Sequence, residues 1–397
     1  MVKFILLHIN IIFFFLYCNV ISKKKLISNN LDVNPSNVSF LIEEPFTLKR
    51  KPTLNHKIHI VTIVQDKNIS DYAFALDTVF CYVLQYKYNY KLININEENE
   101  YSKNCKQEDF MFQRHCILSN YMIAKTNHSD IILFLDADMA IINPNQLIED
   151  YMQNGKEEIL FYERMYNHEI MAGSYFIKNN RYGHKFLKNW ANYYFKKPKS
   201  FDGSDNVALH NVLIDMFIKE DVAEKYNNCK KLWKTSKNFN DIRIYVACLR
   251  VILNNNSEKI TDDKNLNSYE SEIYSYDKER VKVIKKLSKR KWARDIWLEN
   301  SKWSSQDFFL HDVKLKNLNS NTLRTWNSPW KILNFNITIC KNNTYYENWT
   351  YNNELIKKRK FMKLQLREYY FNVDNKFKKD INQGIKLLSL KKSIRNA

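Results

Sequence analysis

Two carboxylates separated by one residue, Asp136 and Asp138, close the run Ile131-Ile-Leu-Phe-Leu-Asp-Ala-Asp-Met139. At that spacing they repel one another, and ionising both calls for a compensating cation. Hard divalent ions such as Mg²⁺ and Mn²⁺ take oxygen ligands. Bridged to a diphosphate, such an ion neutralises charge developing on a leaving group, which is Lewis-acid help worth several kcal/mol. A bare Asp-x-Asp is short and common, and alone it reads as a solvated strand end. Here an apolar strand precedes it, and ligands of open α/β sheets bind at the carboxyl ends of strands. If the backbone stays extended past Leu135, both side chains point the same way, because side chains alternate along a strand. A turn at the strand end would change that.

The positioning elements follow from pattern. Ile131–Leu135 is continuously apolar, as in strands buried on both faces of a parallel sheet. Ile58–Val64 is β-branched and ends in polar Gln65-Asp66. Helical spacing through Tyr72, Leu76, Val79, Phe80 and Val83 follows, then a short strand Tyr90–Ile95 and a helix Phe110–Lys125. Ile159–Tyr162 and Tyr175–Ile177 read as strands, Tyr182–Phe195 and Val207–Phe217 as helices. This alternation predicts a doubly wound, Rossmann-like α/β fold. Residues 254–280 are polar and read as an irregular insertion, and residues 351–397 are Lys-rich and helix-favouring.

The chain has 397 residues, 45% of them hydrophobic, which suffices for a large α/β domain with additions. Its net charge of +19 invites polyanion binding. No helix-turn-helix, zinc-finger or aromatic RNA-binding pattern accompanies that charge, so nucleic acid is not an expected partner. Lys3, the apolar run Phe4–Ile21 and Lys23–Lys25 form a targeting segment. Val20 and Ser22 supply small residues for cleavage; a signal anchor is the rival, with membrane contact only through that segment. Either way the rest of the chain enters the secretory pathway, in the ER or Golgi lumen or outside. Apart from Cys18, six cysteines remain (Cys81, Cys105, Cys116, Cys229, Cys248 and Cys340), an even set that suits disulfides. Cys105 with Cys116 is the local pairing to expect. Glycosylation sequons stand at Asn37, Asn68, Asn127, Asn255, Asn336, Asn342 and Asn348. The expected organisation is a targeting segment over 1–22, a linker over 23–55, a catalytic-type domain over 56–335 and a basic C-terminal extension over 336–397.

An ordered set of segments carries a resemblance: Leu133–Met139, Asn143-Pro144, Phe161–Arg164, Glu169–Phe176 and Phe201–His210. Together they resemble a nematode-expanded family of uncharacterised proteins. That family in turn is similar to GT-A-fold fungal galactosyl/mannosyltransferases and plant xyloglucan xylosyltransferases. The resemblance covers residues 56 to 315 and implies a GT-A mixed sheet flanked by helices. It implies a glycosyltransferase that moves a sugar from a nucleotide-diphosphate donor to a glycan or glycoprotein acceptor, with Mn²⁺ or Mg²⁺. By position, Asp136 and Asp138 match the metal-binding pair, and His311 the histidine that completes the metal shell. Lys314 matches a phosphate-contacting lysine, and Ala172, Gly173 and Ser174 a segment lining the donor-sugar pocket. Asp205 and Asn206 match groups at the anomeric carbon, where retention of configuration is implied. Three positions depart from the pattern: Met171 stands for Asn, and Asp312 and Val313 stand for Gly-Trp. These departures keep open a second expectation, a catalytically decayed protein that binds a glycan or partner.

Simpler roles are available for most of these residues. Gly173 permits a tight turn, Asp205 caps the following helix, and a lone histidine such as His311 is commonly structural. Arg114 reads as a surface ion pair ahead of a phosphate ligand. An inverting enzyme would need a base, for which Asp202 or Asp205 is placed. Trp190 reads as core, while Trp292, Trp297 and Trp303 offer packing or sugar-stacking surfaces.

Overall fold

The computed structural model describes residues 57–395, apart from 66–68, 98–99, 153–155, 219–221, 262–267 and 343. All of them fall within one unit, Pro45–Ala397. The targeting segment, the linker, Cys18 and the sequons at Asn37 and Asn68 lie outside the described residues. No helix among the described residues is long and apolar enough to cross a membrane.

Strand β1 (Ile58–Val64) is buried at every position, consistent with its β-branched run. Helix α1 (Ala73–Tyr86) follows and ends at Lys87 in the left-handed conformation. Next come β2 (Asn89–Asn94) and helix α2 (Phe110–Lys125), whose first turn is capped by Asp109 accepting from the Met111 amide. Strand β3 (Ile131–Leu135) is also buried throughout and leads into the short β4 (Ala140–Ile141). Strands β5 (Ile159–Tyr162) and β6 (Ser174–Lys178) precede four helices: α3 (Arg181–Asn192), α4 (Ser204–Phe217), α5 (Ala223–Trp233) and α6 (Phe239–Asn255). Then come β7 (Glu258–Thr261), β8 (Glu272–Tyr276), β9 (Val281–Ile284), β10 (Ala293–Asp295) and β11 (Phe309–His311), and last the long helix α7 (Arg359–Arg395).

The main sheet has the order β2-β1-β3-β6-β5-β9-β8-β7, and a small sheet has the order β10-β11-β4. β1 runs parallel to β2 and β3, whereas β6 is antiparallel to both β3 and β5. The fold is therefore α/β with a large mixed sheet flanked by helices, the class the resemblance implies. Phe134, Phe161 and Tyr175 of the sheet pack with Phe112, Phe186, Trp190, Leu213 and Tyr245 of the helices into one core.

Two expectations need correction. Residues 254–280 are no irregular insertion: β7 and β8 pair antiparallel there and extend the sheet at its edge. Their polarity reflects the edge position, where β7 exposes most of its side chains. The helix expected from Val207 begins at Ser204, and Gly203, with φ of +71°, precedes it. Asp205 therefore lies inside the first turn and does not cap it; Asp202 accepts from the Ser204 amide instead, at 2.7 Å.

Six cysteines form three disulfides: Cys81–Cys340, Cys105–Cys116 and Cys229–Cys248. The segment over 336–397 packs onto the same unit. Met362, Val373 and Asp380 are buried, and Asp380 bonds both His168 and Arg243 of α6.

Candidate metal centre and active site

The site is assembled where β3 ends. The chain does not stay extended: the Met139 amide bonds the Asp136 carbonyl at 3.1 Å, closing a turn. The turn nonetheless brings the two carboxylates together. One ligand atom each from Asp136, Asp138 and His311 lie within 4.8 Å of one another. His311 arrives at the end of β11, and the Val313 amide bonds the Asp138 carbonyl at 3.0 Å, locking that strand exit to the turn.

Around Asp138 the neighbours are basic. His311 Nε2 is 3.5 Å from Asp138 Oδ1, and Lys314 Nζ is 2.9 Å from Oδ2. His311 Nδ1 meets Asp295 at 2.7 Å, and Asp295 in turn accepts from Arg164 at 3.0 Å. Burial pushes the Asp138 carboxyl up, but His311 and Lys314 outweigh it and hold the group below its usual range. Burial likewise opposes ionisation of Asp295, and Arg164 with His311 reverses that, leaving it well below the carboxylate range. His311 is depressed by burial and raised more strongly by Asp138 and Asp295. The Asp138 Oδ1 atom is buried and has no hydrogen-bond partner.

Around Asp136 the arrangement is different. Arg114 of α2, expected at the surface, is 2% exposed and spans two carboxylates. Its Nη1 is 2.5 Å from Asp136, and its Nη2 is 2.6 Å from Asp205. His115 Nε2 is 3.0 Å from the same Asp205 oxygen, its Nδ1 is 3.1 Å from the Tyr175 hydroxyl, and its ring stacks on Trp190 at 3.6 Å. Burial holds His115 down at about 4, so it is neutral here. Burial and the nearby Asp138 raise Asp136 despite Arg114. Asp205 is completely buried.

The segment Ala172-Gly173-Ser174 backs this turn from β6. The Asp136 amide bonds the Gly173 carbonyl at 2.7 Å, and a Cβ at Gly173 would land on the Asp136 carboxylate. Close approach, more than a tight turn, is what requires glycine here. Ala172 and Ser174 are fully buried, and Ser174 Oγ accepts from the Trp292 indole at 2.8 Å. Trp190 and Trp303 are core, and the half-buried Trp297 packs edge-on against Tyr166 at 5.0 Å. Asn206 is partly exposed, lines a neighbouring cavity and leaves its Oδ1 without a hydrogen-bond partner. Asp202 pairs with Lys197 and is taken up in the turn before α4. Asp312 has φ of +67°, the left-handed region where glycine is usual and aspartate is tolerated. Its carboxylate is buried between Lys314 at 3.2 Å and Arg324 at 3.5 Å, which neutralise it.

The family model described as "Protein of unknown function, DUF273" matches residues 79–327. The chain belongs to that family. The DUF273 region takes in Arg114, both aspartates of the turn, Asp205, Asp295, His311 and Lys314, and it stops short of α7. No curated protein matches the chain in sequence. Among solved structures, a glycosyltransferase involved in the glycosylation of the major capsid of PBCV-1 is similar at 14% identity and a TM-score of 0.32, over 42% of this chain and 77% of that one.

Sequence reasoning missed Arg164, His115 and Asp295. Arg164 and Asp295 are joined in space across a long stretch of chain, and no local pattern links them.

Proposed function

We propose that this DUF273 chain is a metal-dependent glycosyltransferase. It moves a hexose or pentose from a nucleotide-diphosphate sugar to a glycan or glycoprotein acceptor. The observation that carries the reading is the convergence of Asp136, Asp138 and His311 beside an orphaned carboxylate oxygen of Asp138. The donor set suits the group: ligands across a Mg²⁺ ion stand about 4 Å apart, and carboxylates favour Mg²⁺ or Mn²⁺. When bound, the ion supplies Lewis-acid stabilisation of the departing diphosphate.

The protein's own residues do the positioning. Asp295 accepts a hydrogen bond from Nδ1–H of His311 and so turns Nε2 toward Asp138. Lys314, partly exposed beside Asp138, is the group to donate to a phosphate oxygen. Asn206, with a free Oδ1, opens onto the neighbouring cavity, on the acceptor side of the transferred sugar. Asp205 is enclosed by Arg114 and His115 and acts through Arg114 on Asp136. Because Asp202 is engaged in the turn before α4 and Asp205 is wholly enclosed, neither serves as the base that inversion needs, which favours retention. The relation to the fungal and plant transferases belongs to the same proposal. So do the division of the chain at 56–335 and residence in the secretory pathway, which three disulfides support.

The test is hydrolysis of a panel of UDP- and GDP-sugars with and without Mn²⁺, using the wild type and Asp138→Ala. Metal-dependent turnover that the variant loses is the expected result. A flat profile across every donor would remove the enzymatic reading.

A further inference from the structure

Beside the metal centre lies a cavity of about 430 Å³ that the metal chemistry does not use. That volume is in the range of ligand clefts. Its walls come from the loop after β5, the start of α4, the start of α6, Arg324 and Lys376 of α7. The charge on those walls is uneven. Arg164, Arg243, Arg324 and Lys376 line it, against a single lining carboxylate, Glu169. Glu169 pairs with Arg164 at 3.6 Å, and the other acidic partners of the arginines stand behind the wall: Asp295, Asp380 and Asp312, each at most 3% exposed. Each of those aspartates also serves a second base, His311, His168 or Lys314. Lys376 has no ion-pair partner among the described residues, and its side chain is exposed.

Two buried atoms at this cavity lack hydrogen-bond partners. Arg164 is 8% exposed and its Nε has none; Asn206 Oδ1 has none either. A cationic donor and a neutral acceptor are thus unsatisfied side by side in the lining, although burying such groups unpaired is costly. An anionic oxygen would satisfy the first and a hydroxyl the second. A sugar that carries an acid group offers both. The apolar wall suits the same ligand: Phe239 is 76% exposed, standing edge-on to Phe201 at 4.8 Å, with Tyr166 under the Arg164 guanidinium. Ring faces of this kind pack on the C–H face of a pyranose while polar groups reach its rim.

We infer that this cavity binds an acidic sugar unit, a uronate or a sulfated residue, of the acceptor glycan, with Arg164, Arg324 and Lys376 as its recognition groups. The assignment deepens the transferase reading, since it supplies the acceptor for that site. The binding itself needs neither metal nor donor.

The experiment is calorimetry on the full chain with no metal and no donor. Its probes are a tetrasaccharide bearing one uronate, the same tetrasaccharide with a sulfate ester in its place, the neutral carboxyl-reduced form and an Asp/Glu-rich peptide. The uronate and sulfate arms tell which acid group is preferred. Binding of at least one acidic tetrasaccharide is expected, with the neutral form weaker by about tenfold or more. Lys376→Glu and Arg324→Gln, both at exposed side chains, should each weaken the acidic probe to a similar degree and leave the neutral one unchanged. Asp138→Ala should bind it as the wild type does. Equal affinity for the neutral form would overturn the inference. So would tighter binding of the acidic peptide, or a larger loss in Lys378→Glu with Lys379→Glu, which lie on α7 outside the cavity lining. If the wild type hydrolyses no donor yet binds an acidic tetrasaccharide in this way, the transferase reading fails and the cavity assignment stands. Donor hydrolysis without that preference has the opposite meaning.

Discussion

The two aspartates of the turn sit between two charged clusters of different build. On one side Arg114, His115 and Asp205 are almost wholly buried, and Arg114 joins Asp205 to Asp136 by short bonds; the orphaned atom there, Asp205 Oδ1, is sealed in the core. On the other side Asp138, His311, Asp295 and Arg164 form a chain that leaves a carboxylate oxygen of Asp138 and Nε of Arg164 unmatched. The contrast separates two jobs. The Asp136 side is held by the protein and fixes where the turn lies. The Asp138 side keeps its unspent bonding capacity next to the partly exposed Lys314 and the cavity-lining Arg164, where a ligand can reach it. Asp136 rises and Asp138 falls from the same ordinary value because their basic neighbours differ in number and kind.

The sharpest way to break this contrast is to remove the anchor. Arg114→Met would strand the buried Asp205 and the half-buried Asp136, and a loss of about 3–5 kcal/mol is expected in denaturant unfolding. A loss below 1 kcal/mol, roughly the worth of a surface pair, would mean that Asp136 is not held in the way described. On the open side, Asp138→Ala should lower Mn²⁺ affinity by about three orders of magnitude, the equivalent of several kcal/mol. Electron paramagnetic resonance of free Mn²⁺ reads that directly, and a smaller effect than Asp136→Ala would invert the division of labour. Next in size is Asp295→Asn, which keeps an acceptor for His311 but removes its charge. Mn²⁺ affinity should fall by about 10- to 100-fold, and an unchanged value would show that His311 needs no orientation.

The smallest expected effect concerns His210, buried on α4 one turn beyond Asn206. Its Nε2 accepts from the Ile170 amide at 3.1 Å, and its Nδ1 donates to the Asn206 carbonyl at 2.9 Å. Burial, with Arg250 nearby, lowers it to about 3 from the ordinary 6.5. The folded form resists the proton more than the unfolded chain does, so its stability is complete above pH 6.5 and declines as the pH drops toward 3. The decline approaches about 1.4 kcal/mol per pH unit at most. Urea midpoints measured from pH 7 to pH 5 should fall less in His210→Gln than in the wild type; parallel slopes would assign the acid sensitivity elsewhere.

Much of the scaffold was legible because it is local. The runs Ile58–Val64 and Ile131–Leu135 and the period of Phe110–Lys125 match the observed elements end to end. The ligand triad was legible only in part. Its members could be named from the ordered motifs, yet the geometry that joins them is a turn and not an extended strand. What escaped the sequence depends on contacts between distant segments. Nothing near Arg114 announces that Asp205 will neutralise it, and nothing near Asp295 announces His311. Polar residues 254–280 misled for a related reason: an edge strand shows much of its surface to water, and composition there resembles a loop.

The bridge from Cys81 to Cys340 spans 259 residues and encloses nearly the whole matched region. A protease that cuts beside Leu323, whose side chain is fully exposed, would release no fragment from the oxidised chain. The nicked molecule would migrate as one species and fall into two pieces only after a reductant is added. Limited digestion compared on reducing and non-reducing gels would therefore report whether that clasp has closed around the finished molecule.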